Sequence, residues 1–350
     1  MDKFINPYTD FGFKKLFGAE HNADLLISFL NAVIADGDDN PDPITSLSYK
    51  NVERIGEITT MRSSYFDVFC QTQSGADFIV EMQNGKQIFF KDRSLYYATI
   101  PIQDQGKKGK AKADADALAA ERKLASGHRL KTKDKKALRG WDYRLKDVYL
   151  VAVMDFEFPN NEYPPDEYLH RVKLMDVDDN HVFYDKLTLI YLEMPKLERA
   201  QLKLDTMRDK WMYALHSLYY TDEQPEVLRD EVFLKLFREA AVANLDERQL
   251  LAYRMSLKDL WDSYSTWESA NQEGIETGIT KGKEIGLAEG KVIGLAEGKV
   301  IGLAEGKVIG LAEGSKAKAI EVARNLKSLG MNTDTITQAT GLSAEELATL

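Results

Sequence analysis

The sequence predicts an α/β fold in which a sheet flanked by helices is followed by a helical subdomain and a helical repeat tail. Three observations carry this. Residues 65–83, YFDVFCQTQSGADFIVEMQ, read as two short strands joined by a turn at Ser74-Gly75, where glycine tolerates positive φ. Residues 148–156 contain VYLVAVMDF, a continuous apolar run that suits a strand buried on both faces. From 196 to 269, apolar residues recur at spacings of three and four, the period of a helix.

In chain order, Phe13, Leu16 and Phe17, then Leu25, Leu26, Phe29, Leu30 and Val33 place helix over 10–34, with Asn22 and Asp24 as starters of its second half. Asp10 is of a residue type well suited to an N-cap. The segment 36–43, DGDDNPDP, is a loop by composition and lacks the twelve-residue ligand spacing and closing Glu of an EF-hand. Strands at 44–50 and 52–60 lead into the hairpin. Lys91 to Ile100 reads as a helix returning over the sheet, with Arg93 and Tyr97 on one face at i and i+4. The planar fork of Arg93 suits a phosphate and equally a structural carboxylate.

Residues 106–140 combine alanine, high charge and few aromatics, the composition of a helical or partly disordered insertion. The window 107–139 holds twelve Lys or Arg against Asp114, Asp116, Glu121 and Asp134. It is either an arm that tracks phosphates or a solvated charged loop. Tyr168–Val177 and Leu187–Met194 are further strands, and surface turn chemistry accounts for His170, His181 and Asp178-Asp179 around them.

The helical stretch after 196 is punctuated by Trp211, Leu215 and Leu218, then Phe233, Leu236, Phe237 and Ala240, a core stripe rather than a cofactor box. Gly282 to Gly314 is an internal repeat, GKEIGLAE once and GKVIGLAE three times, with glycine at every fourth position. Each interior glycine costs a helix roughly 0.5–1 kcal/mol relative to alanine. A row at i, i+4 drifts about 40° per step around a helix, so two such helices could meet along a slanted glycine seam. Dimerising helix and flexible linker both remain open readings. Ala317–Leu329 and Asp334–Leu350 read as short helices, with Ser343 to Glu346 resembling a capping box. The pattern looks like a small helix-turn-helix. Its last segment has no Lys or Arg, which favours protein packing over base reading there. The domains so drawn are 1–200 with the basic insertion at about 107–140, a helical subdomain at 201–270, the repeat segment at 271–314 and a small helical segment at 315–350.

The hairpin holds the chemistry. Period-2 alternation puts Tyr65, Asp67 and Phe69 on one face and Ile79, Glu81 and Gln83 on one face of the second strand. Folding about Ser74 pairs residues whose numbers sum to about 148, which sets Asp67 opposite Glu81 with Cβ atoms roughly 4.5–5.5 Å apart. Two carboxylates so placed repel unless a proton or cation lies between them. A hard divalent cation such as Mg²⁺ takes such oxygen ligands, together with water and substrate phosphate. Gln83 can hydrogen-bond water or a phosphate oxygen but is no general base near neutral pH. The competing reading is a solvated sheet face with an incidental Asp and Glu.

Composition narrows the classes. Cys70 is the only cysteine and the five histidines form no H-x3-H pair, which excludes a disulfide framework and argues against a zinc enzyme. No apolar run is long enough to span a bilayer and the first residues lack a signal-peptide core, so a cytoplasmic protein is expected. A formal charge of -10 excludes a uniformly basic surface but not a local positive stripe.

The order Asp67, turn, Glu81-Met82-Gln83 at the end of an apolar strand resembles the PD-(D/E)XK nuclease core, in the variant where glutamine replaces lysine. The run Pro7-Tyr8-Thr9-Asp10-Phe11-Gly12-Phe13-Lys14-Lys15-Leu16-Phe17-Gly18 resembles the opening of the Rpn-type group of recombination-promoting nucleases, often labelled transposases. Similarity continues in Arg93 to Tyr97, Gln105-Gly106, Val148 to Phe156 and the Gly/Glu/Lys tail. The resemblance implies a restriction-endonuclease-like mixed sheet and a Mg²⁺-dependent DNA endonuclease, with Mn²⁺ as the alternative ion and a role in recombination, mobile elements or defence. It implies Asp67, Glu81 and the backbone carbonyl of Met82 as metal ligands, Gln83 in the lysine's place, and Asp10, Arg93 and Tyr97 as supporting residues. DNA is the implied partner, no membrane is involved, and the repeat segment is a candidate for homo-oligomerisation. The alternative is a non-catalytic DNA-binding or oligomerising accessory protein that retains the fold.

Overall fold

The computed structural model describes residues 3–35, 42–50, 66–85, 87–159 and 162–350. Tyr65, most of the 36–43 loop and the strand predicted at 52–60 lie outside these residues. The chain divides into two compact units, Met1–Trp267 and Glu268–Leu350.

In the first unit, α1 (Asp10–Phe17) and α2 (Ala23–Ile34) replace the single predicted helix, separated by a 3₁₀ turn over Glu20–Asn22. The N-cap of α1 is Thr9, whose hydroxyl accepts from Gly12 N–H, so Asp10 is the first helical residue and not the cap. Asn22 sits at the start of α2 without capping it, because its side-chain amide donates to the Lys15 carbonyl at 3.0 Å. The run NPYTDFGF has a local logic. Thr9 donates to the Asn6 carbonyl at 2.7 Å, and a Cβ on Gly12 would lie 2.1 Å from that same oxygen, so only glycine lets the turn close onto the helix.

A mixed sheet follows. Its strands are β1 (Leu47–Tyr49), β2 (Val68–Thr72), β3 (Asp77–Gln83), β4 (Val148–Met154), β5 (Leu169–Asp176) and β6 (His181–Glu193), in the spatial order β1-β2-β3-β4-β6-β5. β3, β4 and β6 run parallel, and the flanking pairs are antiparallel. The central position of β4 explains its unbroken apolar sequence, because both of its faces are covered. The β2–β3 register, Val68↔Val80 through Gln71↔Asp77, is the one the hairpin sequence predicts.

The parallel step from β3 to β4 is made through α3 (Phe90–Ala125) and the short α4 (Thr132–Ala137). The helix predicted at 91–100 therefore runs on through most of the basic insertion. It continues past Pro101, and Trp141 packs on its side so closely that a Cβ on Gly109 would fall 2.6 Å from the indole nitrogen.

Helices α5 (Leu197–Ala200), α6 (Met207–Ser217), α7 (Glu231–Ala240) and the start of α8 (Glu247–Ser328) complete the first unit. Trp211, Leu215, Phe233 and Phe237 bury against Phe17, Phe29 and one face of the sheet, so residues 201–267 share one core with α1 and α2. The opposite sheet face, with Phe69, Ile79, Leu150 and Tyr191, packs on Phe90 and Ala98 of α3.

In the second unit the repeat is helical, inside α8, and every glycine from Gly274 to Gly314 faces open space. After α8 come α9 (Thr333–Thr340) and α10 (Ala344–Ala348), which enclose a small core of Ala323, Ile336, Leu342 and Leu347. Gly341 ends α9 at φ 71°, and Ser343 and Glu346 form the predicted capping box. Among the described residues no helix is long and apolar enough to cross a membrane.

Candidate active site

The hairpin register carries Asp67, one residue ahead of β2, to the level of Glu81 in β3. Alternation turns Glu81 and Gln83 toward α3, while Val80 and Met82 point into the core on the other face. Asp67 is anchored by the backbone, its Oδ2 accepting the Met82 N–H at 2.7 Å. Its Oδ1 lies 4.0 Å from Lys14 Nζ, and Lys14 is itself paired with Asp10 at 2.6 Å. Asp10 thus stands behind Lys14 at the rim of the site.

Glu81 is buried and its Oε1 has no hydrogen-bond partner. Burial, and then the neighbouring charge of Asp67, push its carboxyl up to about 8 against the opposing pull of Arg93 and Lys14. Burial also raises Asp67, although the Met82 N–H and Lys14 work the other way. The charge of Asp10 adds to that rise and Arg93 opposes it.

Arg93 reaches in from the first turns of α3. One Nη lies 3.9 Å from Glu81 Oε2 and donates to Gln83 Oε1, while the other donates to Gln87. Its guanidinium lies over the rings of Phe90 and Tyr97, at 5.2 and 5.6 Å from their centroids. Tyr97 in turn meets Phe66 edge-on at 5.3 Å. The Nε of Arg93 is buried without a partner. Gln83 donates its amide to the Asn84 carbonyl at 3.1 Å, so the side chain bridges the strand end and Arg93.

The donor set fits a hard divalent ion. Two carboxylates on adjacent strands, one with an orphaned buried oxygen, offer only oxygen, which suits Mg²⁺ or Mn²⁺ and not a soft metal. A separate group, Asp176, Asp179 and His181, lies in the β5–β6 turn with ligand atoms within 4.8 Å of one another. There the N–H groups of Asp178 and Asp179 donate to Asp176 Oδ1, the turn chemistry predicted for that segment, whereas His170 is no surface turn residue but lies buried in β5, 2.6 Å from Glu193 Oε1.

Of the predicted residues, the structure brings Asp67, Glu81, Gln83, Arg93 and Tyr97 together, with Asp10 one ion pair removed. Lys14 and Asp155 were not singled out by the sequence reading. Lys14 follows Asp10 by four residues on one helix face, a legible signal. Asp155 follows β4 within the apolar run, and because Gln83 pairs with Met154 it falls at the same C-terminal strand ends as the site. Asp155 accepts the Gly85 N–H at 2.7 Å and the Tyr264 hydroxyl.

A family model described as PD-(D/E)XK nuclease family transposase matches residues 7–120 and 122–270. A second, described as Rpn/YhgA-like nuclease family, C-terminal HTH domain, matches residues 316–350. No curated protein and no solved structure matches the chain.

Proposed function

The chain belongs to the PD-(D/E)XK nuclease family of transposase-related proteins, and from that premise we propose that it is a Mg²⁺-dependent DNA endonuclease hydrolysing phosphodiester bonds. The observation that carries the reading is the opposed pair Asp67 and Glu81, one backbone-anchored and the other buried with an unpaired oxygen.

In this reading Asp67, Glu81 and the Met82 carbonyl hold the ion. When bound, the ion supplies Lewis acidity and lowers the pKa of a nucleophilic water. Asp67 contributes a fixed carboxylate because the Met82 N–H locks its orientation. Arg93, always protonated, holds a phosphate oxygen beside the pair. Gln83 is a positioning residue that aims Arg93, and its remaining amide hydrogen can serve water or phosphate. Lys14 adds a second positive charge at the rim. Gln83, a neutral amide, cannot take a proton near neutral pH.

The helix-turn-helix match to residues 316–350 supports DNA as the partner, in recombination, mobile-element movement or defence. The exposed lysines of α3 add sequence-independent phosphate contacts. Homo-oligomerisation through the repeat segment stays part of the proposal, since its glycines leave room for close approach by a second helix.

Purified protein should nick supercoiled plasmid with Mg²⁺, and Asp67→Ala and Glu81→Ala should each abolish it. Cleavage surviving both changes would refute the site. Duplex binding with no metal-dependent strand breakage would instead favour the accessory reading, for which the absence of a lysine at position 83 speaks.

A further inference from the structure

Two features beside the candidate site are unused by the mechanism above. The first is the pair Ile88 and Phe89, which are 89% and 72% exposed at the start of α3. A lone exposed apolar residue needs no explanation. These are consecutive, and they are fixed to a rigid element, because the Phe89 carbonyl accepts the Arg93 N–H at 3.0 Å. The preceding Gln87 accepts from the Arg93 guanidinium, so the pair is tied to the group that would hold a phosphate.

The second is a cavity of about 450 Å³ that begins at the other end of the same loop. Gly85, turning at φ 73°, lies on its wall with Asp155, and the aromatic residues Phe156, Phe158, Tyr264 and Trp267 line it together with Pro159, Pro195 and Leu260. Trp267 is 48% exposed. The volume is within the usual range for a small-ligand pocket, about 300–1,000 Å³. Asp155, which accepts from Gly85 and Tyr264, and Glu157, whose Oε1 pairs with Arg199 at 2.6 Å, place carboxylates there whose remaining lone pairs disfavour a phosphate and suit a planar ring edge carrying N–H donors. From Glu81 to the pocket the path is three residues along a strand and one strand across, roughly 10 Å, the reach of a neighbouring nucleotide.

We propose that Ile88 and Phe89 act as a wedge that unstacks a base next to the bound phosphate, and that the aromatic pocket beside Asp155 receives the displaced base. The preferred substrate is then DNA carrying an unpaired or mispaired base. Apolar side chains inserted at a base step unstack it, and stacking on aromatic rings recovers part of the cost. This inference rests on the nuclease reading for the position of the phosphate.

The test is binding of the full chain in chelator, by fluorescence anisotropy, to a short matched duplex and to the same duplex with one central mismatch. Prepaid unpairing should make the mismatched duplex bind about tenfold tighter or better. Ile88→Ser/Phe89→Ser and, separately, Trp267→Ala should bring the ratio toward one. These side chains are exposed, so the variants should melt as the parent does. Equal affinity for both duplexes, or a preference that survives both variants, overturns the inference. Mg²⁺-dependent cleavage together with equal affinities would sink it while leaving the nuclease reading standing. A mismatch preference abolished by both variants, without cleavage, would support the wedge and pocket beside a phosphate held by Arg93 and favour the accessory reading over the nuclease one.

Discussion

Replacing Glu81 by glutamine should stabilise the metal-free protein in alkaline solution while weakening its response to Mg²⁺. The carboxyl of Glu81 is pushed from 4.5 to about 8 by burial and by Asp67. Because the folded value lies above the unfolded one, the folded chain holds an extra proton between them. Stability is therefore greatest below the lower value and falls as pH rises through the upper one. At about 1.36 kcal/mol per pH unit, the ionised Glu81 costs the fold on the order of 4–5 kcal/mol near pH 9. For a unit of this size that corresponds to roughly 10 °C or more in Tm. Glutamine keeps the shape without the charge, so the gap between variant and parent should be small at pH 5, open to about pH 8 and level off above it in chelator. Added Mg²⁺ should restore the parent, by about 2.7 kcal/mol at a hundredfold excess over Kd, and should do much less for Glu81→Gln. Thermal unfolding followed by circular dichroism across pH, with chelator or Mg²⁺, reads both effects. Parallel pH profiles for the two proteins would show that Glu81 carries no raised carboxyl, and equal stabilisation by Mg²⁺ would show that it is no ligand.

Three further outcomes are expected. Gly12→Ala should destabilise the first unit by about 2–4 kcal/mol, seen as a lowered denaturant midpoint, because the new methyl would lie 2.1 Å from the Asn6 carbonyl. Arg93→Lys should keep the positive charge yet lower the nicking rate, since an ammonium cannot bridge Gln83 and Gln87 while facing phosphate; an unchanged rate would remove the fork from the mechanism. Removing Lys107, Lys110 and Lys112, exposed on α3, should reduce the slope of log affinity for DNA against log salt by roughly 2–3, measured by titration at several ionic strengths.

Much of this site was legible because strand pairing is a local code. The hairpin turn and two apolar runs sufficed to place Asp67 level with Glu81, and a one-residue slip would have put the acids on opposite faces. The helix break between Phe17 and Ala23 leaves only a faint mark in the sequence, Gly18 where α1 ends and Asn22 where α2 begins, because the apolar spacing runs on across the 3₁₀ turn. Thr9 won the cap over Asp10 through its bond to the Asn6 carbonyl, a tertiary detail that cap preference alone does not rank. The length of α3 was underestimated since glycine and proline discourage helix, yet Gly106 and Gly109 are where Trp141 docks. The repeat shows the same excess of caution. Its glycines weaken a helix individually, while eight-residue units rich in Leu, Ala, Glu and Lys supply enough helix formers to carry it.

The glutamine at position 83 changes where the positive charge of the site originates. A lysine there would bring an ammonium along the strand, two residues from Glu81 and on its face. Here the strand supplies a neutral amide, and the cation arrives from α3, held over Phe90 and Tyr97 and bonded to that amide. A lysine desolvated at that position could lose its proton and act as a base once a cation offsets the two acids, whereas a guanidinium cannot. In the proposed mechanism glutamine thus shifts the site from proton abstraction by a side chain toward electrostatic holding of phosphate. Water activation would then fall to an ion held by Asp67 and Glu81, and the geometry of those two acids would limit the rate more strictly than beside a lysine.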